Sequence, residues 1–76
     1  YELTSLLGNI TIKEGAYFSH THITFSDKKY QIFGGHLFDA KITAAGEFII
    51  IPGTRIINRK MNTDIGLPLW CMENKI

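Results

Sequence analysis

Residues 18–36 read FSHTHITFSDKKYQIFGGH, and the fold turns on how this stretch is parsed. Phe18 to Phe25 is rich in aromatic and β-branched residues and has no helical spacing of apolar positions, so it reads as a strand. Ser26-Asp27-Lys28-Lys29 is a polar turn, and Tyr30 to Phe33 returns, which predicts a β-hairpin. Alternate side chains of a strand share a face, so His20 and His22 point the same way, with Cα atoms about 6.6 Å apart. Thr21 points away, and Phe18 and Thr24 flank the histidine pair. Gly34-Gly35 permits a sharp bend or a close approach to a neighbour. If Phe25 and Tyr30 face each other, the returning strand runs beside both histidines. His36 then comes near them after the glycine bend.

Three imidazoles gathered in this way can meet one metal ion at about 2.0–2.1 Å per Zn–N bond, with a fourth position left for water or a ligand. The competing reading is an exposed polar sheet face that happens to carry histidines. No Cys-x-x-Cys or His-Glu-x-x-His pattern strengthens the metal reading.

Working outward, Tyr1 to Leu7 is a candidate strand that Gly8 breaks. Asn9 to Lys13 alternates, with Ile10 and Ile12 on one face, and Glu14-Gly15 supplies a turn. Beyond the hairpin, Ala40 to Thr43 is a further strand candidate, and Ala44-Ala45-Gly46 is a turn or a bulge. EFIII, residues 47–51, is a continuous apolar run rich in β-branched residues, which predicts burial on both faces; in so small a chain the second cover could be another subunit. Pro52-Gly53 ends it. Arg55 to Met61 reads as a strand and Asn62-Thr63-Asp64 as a turn. IGLPLW, residues 65–70, closes the chain with Leu67 and Leu69 on one side, and Pro68 marks an edge because it cannot donate to a ladder. There is no internal repeat, linker or convincing helix.

The totals set bounds. Seventy-six residues make one domain, and a domain of this size buries only about 60% of its unfolded surface, so its core is thin and oligomerisation is a common remedy. A formal charge of +1, with 20% charged residues, argues against a strong nucleic-acid or membrane field. Arg55, Arg59 and Lys60 are the densest local positive group; they are candidate phosphate contacts or a solvated strand face. Cys71 is the single cysteine, which excludes an intrachain disulfide and fits a reducing cytoplasm. Beside Trp70 and Met72 it is expected to pack rather than react. No apolar run approaches the roughly 20 residues of a membrane span. The chain opens on Tyr1-Glu2-Leu3-Thr4, already strand-like and without an initiator Met, so an upstream extension of the natural product is expected.

The order YELTSLLGNITIKEG, HTHITFSD, GGHL, AAGEFII and GLPLW resembles the plants-and-prokaryotes-conserved (PPC) domain, its prokaryotic members most closely. The resemblance spans nearly the whole chain. It implies an α+β, strongly β-rich fold, a mainly antiparallel sheet with helical additions, assembled as a homotrimer. It also implies a metal, zinc by preference, held by His20, His22 and His36. A DNA-binding or regulatory role belongs to the same expectation. Plant members read DNA with an added basic AT-hook, and no Arg-Gly-Arg-Pro-like segment occurs here. The family domain normally begins with an additional strand and helical region ahead of the part matching Tyr1.

Two other functions compete with this one. The first is a metal-dependent enzyme or small-molecule binder, since three neutral ligands leave zinc its double charge for water or an anion. Glu2, Glu14, Asp27, Asp39 and Glu47 supply carboxylates for such a role, but the sequence gives none of them a position. Asp39 is nearest His36, either as a hydrogen-bond partner for a ligand histidine or as a turn residue. No Ser-His-Asp or Cys-His order is present, so no nucleophile and no enzyme activity is assigned. The second is a purely structural trimerisation domain in which Phe48 to Ile51 is the important feature.

Overall fold

The computed structural model describes residues 1–71. Five strands form one mixed sheet: β1 (Glu2–Lys13), β2 (Ala16–Ser26), β3 (Ile32–His36), β4 (Asn58–Asn62) and β5 (Leu67–Cys71), in the order β3-β2-β1-β4-β5. β2–β3 and β4–β5 are antiparallel, and β1–β4 is parallel. No helix occurs among the described residues, which corrects the expected α+β class to all-β. The reason lies in the spacing: the chain carries no apolar stripe of helical period for a helix to bury.

The contacts divide the chain into two units, Tyr1–Asn9 with His20–Ile51, and Ile10–Ser19 with Pro52–Ile76. In the first unit, Gly8 does not break its strand; β1 runs through it. A Cβ at Gly8 would collide with the carbonyl oxygen of His20 and lie 2.5 Å from Thr21 Oγ1. The glycine therefore marks a close approach of two chain segments, not a stop. Nearby, the Thr24 hydroxyl is hydrogen-bonded to those of Thr4, at 2.6 Å, and Ser5, at 2.7 Å.

The β2–β3 turn is longer than the sequence suggested. Asp27 Oδ1 accepts hydrogen bonds from the Lys29 and Gln31 amides at 2.8 and 3.0 Å, and Tyr30 takes a left-handed φ of 63°. A carboxylate that caps its own turn in this way favours a local loop over early strand pairing. The pairing thus begins at Ser26↔Ile32 and Phe25↔Phe33, not at Phe25 with Tyr30. The Phe25 and Phe33 rings stack at 5.9 Å. The glycine pair is strand, not bend: Gly34 lies opposite Thr24 and Gly35 opposite Ile23.

The same unit corrects a second expectation. Residues 40–43 and 47–51 form no strand. Phe48, Ile49, Ile50 and Ile51 are 54, 92, 76 and 87% exposed, so the run is not buried on two faces. Apolarity gives such a segment a reason to be covered, but among the described residues no strand pairs with it.

In the second unit, the turn between β1 and β2 has positive φ at both central residues, 52° at Glu14 and 78° at Gly15, as a tight type I′ hairpin requires. Ile12 and Lys13 pair with Asn58 and Arg59. β4 starts at Asn58 rather than Arg55, with Ile57 accepting a hydrogen bond from the Ile12 amide at 2.9 Å. β5 is an edge strand and carries Pro68, where a missing N–H is harmless. Cys71 is exposed and free rather than packed; its neighbour Met72 lies outside the described residues.

Among the described residues no apolar side chain is buried, and the two buried polar ones are Thr11 at 5% and Thr21 at 9% exposure.

Candidate metal centre

Antiparallel register places the third histidine. His22 and His36 are direct cross-strand partners, and residues opposed in this way have Cβ atoms about 4.5–5.5 Å apart. His20 lies two residues before His22 on the same face of β2. The ring centroids are 5.0 Å apart for His20–His22, 4.7 Å for His22–His36 and 5.5 Å for His20–His36. One ligating nitrogen from each ring falls within 4.8 Å of the others. His20 is half-buried, and His22 and His36 are exposed.

The local hydrogen bonding explains why this register holds to the end of β3. The Leu37 amide donates to the Thr21 carbonyl at 2.8 Å, fixing the chain immediately after His36 to the residue between the other two histidines. Gly34 allows the approach, because a Cβ there would lie 2.7 Å from the Ile23 carbonyl oxygen and 3.0 Å from the Thr24 methyl. Phe38, two residues beyond His36, brings its ring to 6.3 Å from that imidazole. Sequence reasoning did not single out Phe38, although the His-Leu-Phe spacing places it on the histidine side of an extended chain. Asp39 is exposed in the irregular segment after β3.

The donor set suits a borderline-soft divalent ion. Imidazole nitrogens serve zinc, copper, nickel and iron, whereas calcium and magnesium call for oxygen ligands. Nitrogens around tetrahedral zinc sit about 3.3 Å apart, as follows from bonds of about 2.0–2.1 Å. Rotation of the exposed His22 and His36 rings about their side-chain torsions can close the observed separations toward that value. The three residues present thus fit a three-nitrogen site.

The basic residues are placed differently from one another. Arg55 is exposed in the irregular segment before β4, and Lys60 is exposed on β4. Arg59 is half-buried: its Nε donates to Thr11 Oγ1 at 2.7 Å, and one terminal nitrogen donates to the Pro68 carbonyl at 2.9 Å. Its guanidinium carbon also lies 5.1 Å from the centre of the Phe18 ring, and Lys13 Nζ lies 5.0 Å from the same ring. As successive strand residues, Arg59 and Lys60 point to opposite faces.

Comparison with known proteins places these features. The family model described as the Plants and Prokaryotes Conserved (PCC) domain matches residues 1–54. The crystal structure of a protein from Bacteroides thetaiotaomicron VPI-5482, called a "putative DNA binding protein", superposes with a TM-score of 0.86 at 33% sequence identity. The match covers 95% of this chain and 52% of that one, so the chain spans about half the length of its structural relative. No curated protein matches the sequence.

Proposed function

Because the chain belongs to the Plants and Prokaryotes Conserved domain family, we propose that it is a metal-binding module whose ion, zinc by preference, is held by His20, His22 and His36. The observation that carries this reading is the cross-strand pairing of His22 with His36, beside a His20 nitrogen within 4.8 Å. Bound zinc would supply a positive charge at a position open to water or an anion. Titration calorimetry with zinc tests the reading. The wild-type chain is expected to bind one equivalent, and His36→Ala is expected to lose at least ten-fold in affinity. Equal binding by both proteins would reject the site.

The wider role is DNA-associated or regulatory, performed by a homo-oligomer, a trimer by family expectation, in the cytoplasm. The DNA part is supported by the name of the structural relative, and Arg55, Arg59 and Lys60 are its candidate phosphate contacts. Self-association is supported by exposure. Phe48, Ile49, Ile50 and Ile51 are 54, 92, 76 and 87% exposed, a contiguous apolar stretch of the kind that marks an interaction surface. Among the described residues no helix is long and apolar enough to cross a membrane. Genuine phosphate binding weakens steeply with salt, so DNA affinity that is negligible even at low salt would reject the DNA part and leave the metal site standing.

A further inference from the structure

We infer that Gly8, on β1, is a positioning residue for the histidine cluster: its lack of a side chain sets where the His20 backbone lies, and through it where the imidazole sits. The inference rests on the metal-binding reading above and concerns a residue that ligates nothing. Three atoms surround the place a Cβ would occupy at Gly8: the His20 carbonyl oxygen, Thr21 Oγ1 at 2.5 Å and Thr21 Cα at 2.6 Å. Two of them are backbone atoms, which no rotamer change can move aside. The first belongs to a candidate ligand, and the last to the residue that joins His20 to His22.

Thr21 has a second hold on the cluster. It is the one residue of β2 that is buried, at 9% exposure, and its carbonyl accepts the Leu37 amide next to His36. The peptide segment from His20 to Thr21 therefore touches all three histidines: it contains one, precedes the second, and hydrogen-bonds the residue after the third. Real side chains essentially never bring Cβ closer than 3.0 Å to such atoms. An alanine at position 8 must then displace this segment by several tenths of an ångström. Bonds in a sound metal site stay within about ±0.2 Å of their usual lengths, so the imidazoles must turn further from their resting positions to keep all three bonds, and affinity falls.

Gly35 provides the matched control. It neighbours His36, lies opposite Ile23 and has nothing within 4 Å of where its Cβ would be. It is as near the cluster in sequence as a glycine can be, yet an alanine there meets open space.

The experiment compares wild type, Gly8→Ala and Gly35→Ala by zinc competition against a chromophoric chelator. Cobalt(II) absorption reports coordination geometry, and far-ultraviolet circular dichroism of the metal-free proteins reports the fold. Removing groups that orient metal ligands typically weakens affinity by about 10–100-fold. That loss is expected for Gly8→Ala, with a weakened tetrahedral cobalt band, while Gly35→Ala stays within about two-fold of wild type. A Gly8→Ala chain that keeps its strand spectrum and binds zinc as wild type does would overturn the inference. A Gly8→Ala chain that folds neither in buffer nor in sucrose, which strengthens burial, would also overturn the inference, because the glycine then serves the whole fold rather than the site. A wild-type chain that binds no zinc rejects the metal reading itself, an outcome distinct from equal binding by wild type and Gly8→Ala.

Discussion

Replacing Arg59 with Met separates a structural role from a phosphate-binding one. Met keeps an unbranched apolar stem and removes the guanidinium. The change deletes the hydrogen bonds to Thr11 Oγ1 at 2.7 Å and the Pro68 carbonyl at 2.9 Å, and the contact with the Phe18 ring at 5.1 Å. A hydrogen bond from a charged donor contributes about 1.5–3 kcal/mol when buried. Arg59 is half-buried, so about 1 kcal/mol each is the discounted figure, with Thr11, at 5% exposure, the costlier group to leave unpaired. The cation–π contact adds about 0.5–1 kcal/mol. The sum is about 2–3 kcal/mol. For a chain of this length the urea m-value is about 1 kcal/mol/M, so the unfolding midpoint should fall by about 2–3 M. Arg59→Lys keeps the charge but loses the fork, and should recover only the ring contact. Urea titration followed by circular dichroism reads all three proteins. A midpoint for Arg59→Met within about 0.3 M of wild type would refute the reasoning.

Other outcomes follow from the turns and from the metal. Asp27→Ala removes the acceptor for the Lys29 and Gln31 amides; it should cost about 1–2 kcal/mol by urea titration and also weaken zinc binding, since this turn sets the register that opposes His36 to His22. Glu14 sits at φ 52°, a conformation costing a non-glycine residue about 1–2 kcal/mol and one that Asn tolerates better, so Glu14→Asn should raise the urea midpoint. Zinc at about 100 times its Kd should stabilise the native chain by about 2.7 kcal/mol, which at about 4–8 °C per kcal/mol raises the melting temperature by roughly 10–20 °C. A chelator should abolish the rise, and a His20→Ala, His22→Ala double variant should never show it.

Much of the site was legible because its determinants are local. The shared face of His20 and His22 follows from strand alternation alone, and the hairpin that returns His36 follows from a polar turn between two apolar segments. The register was not legible. It depends on the Asp27 carboxylate closing a turn that reaches to Gln31, and on Tyr30 adopting positive φ. Neither leaves a mark in the hydrophobic pattern. The glycines misled for a related reason. Gly8 read as a break and Gly34-Gly35 as a bend or a close approach, yet all three lie inside strands; at Gly8 and Gly34 the missing side chain admits a neighbouring backbone. For residues 47–51 the sequence pointed to burial but could not supply the covering surface, and within one chain Ile49 to Ile51 stay exposed. The basic group Arg55, Arg59 and Lys60 looked uniform in sequence, whereas Arg59 is half-buried and held in place by partners on β1 and β5 and the other two are exposed.

The most direct test of the metal assignment is elemental mass spectrometry of the chain purified without a histidine tag, alongside the His20→Ala, His22→Ala variant. About one zinc per wild-type chain and almost none in the variant are expected, in keeping with the three-ligand requirement. No metal in either protein, even after incubation with zinc, would contradict the assignment and make the three histidines an ordinary polar face of the sheet.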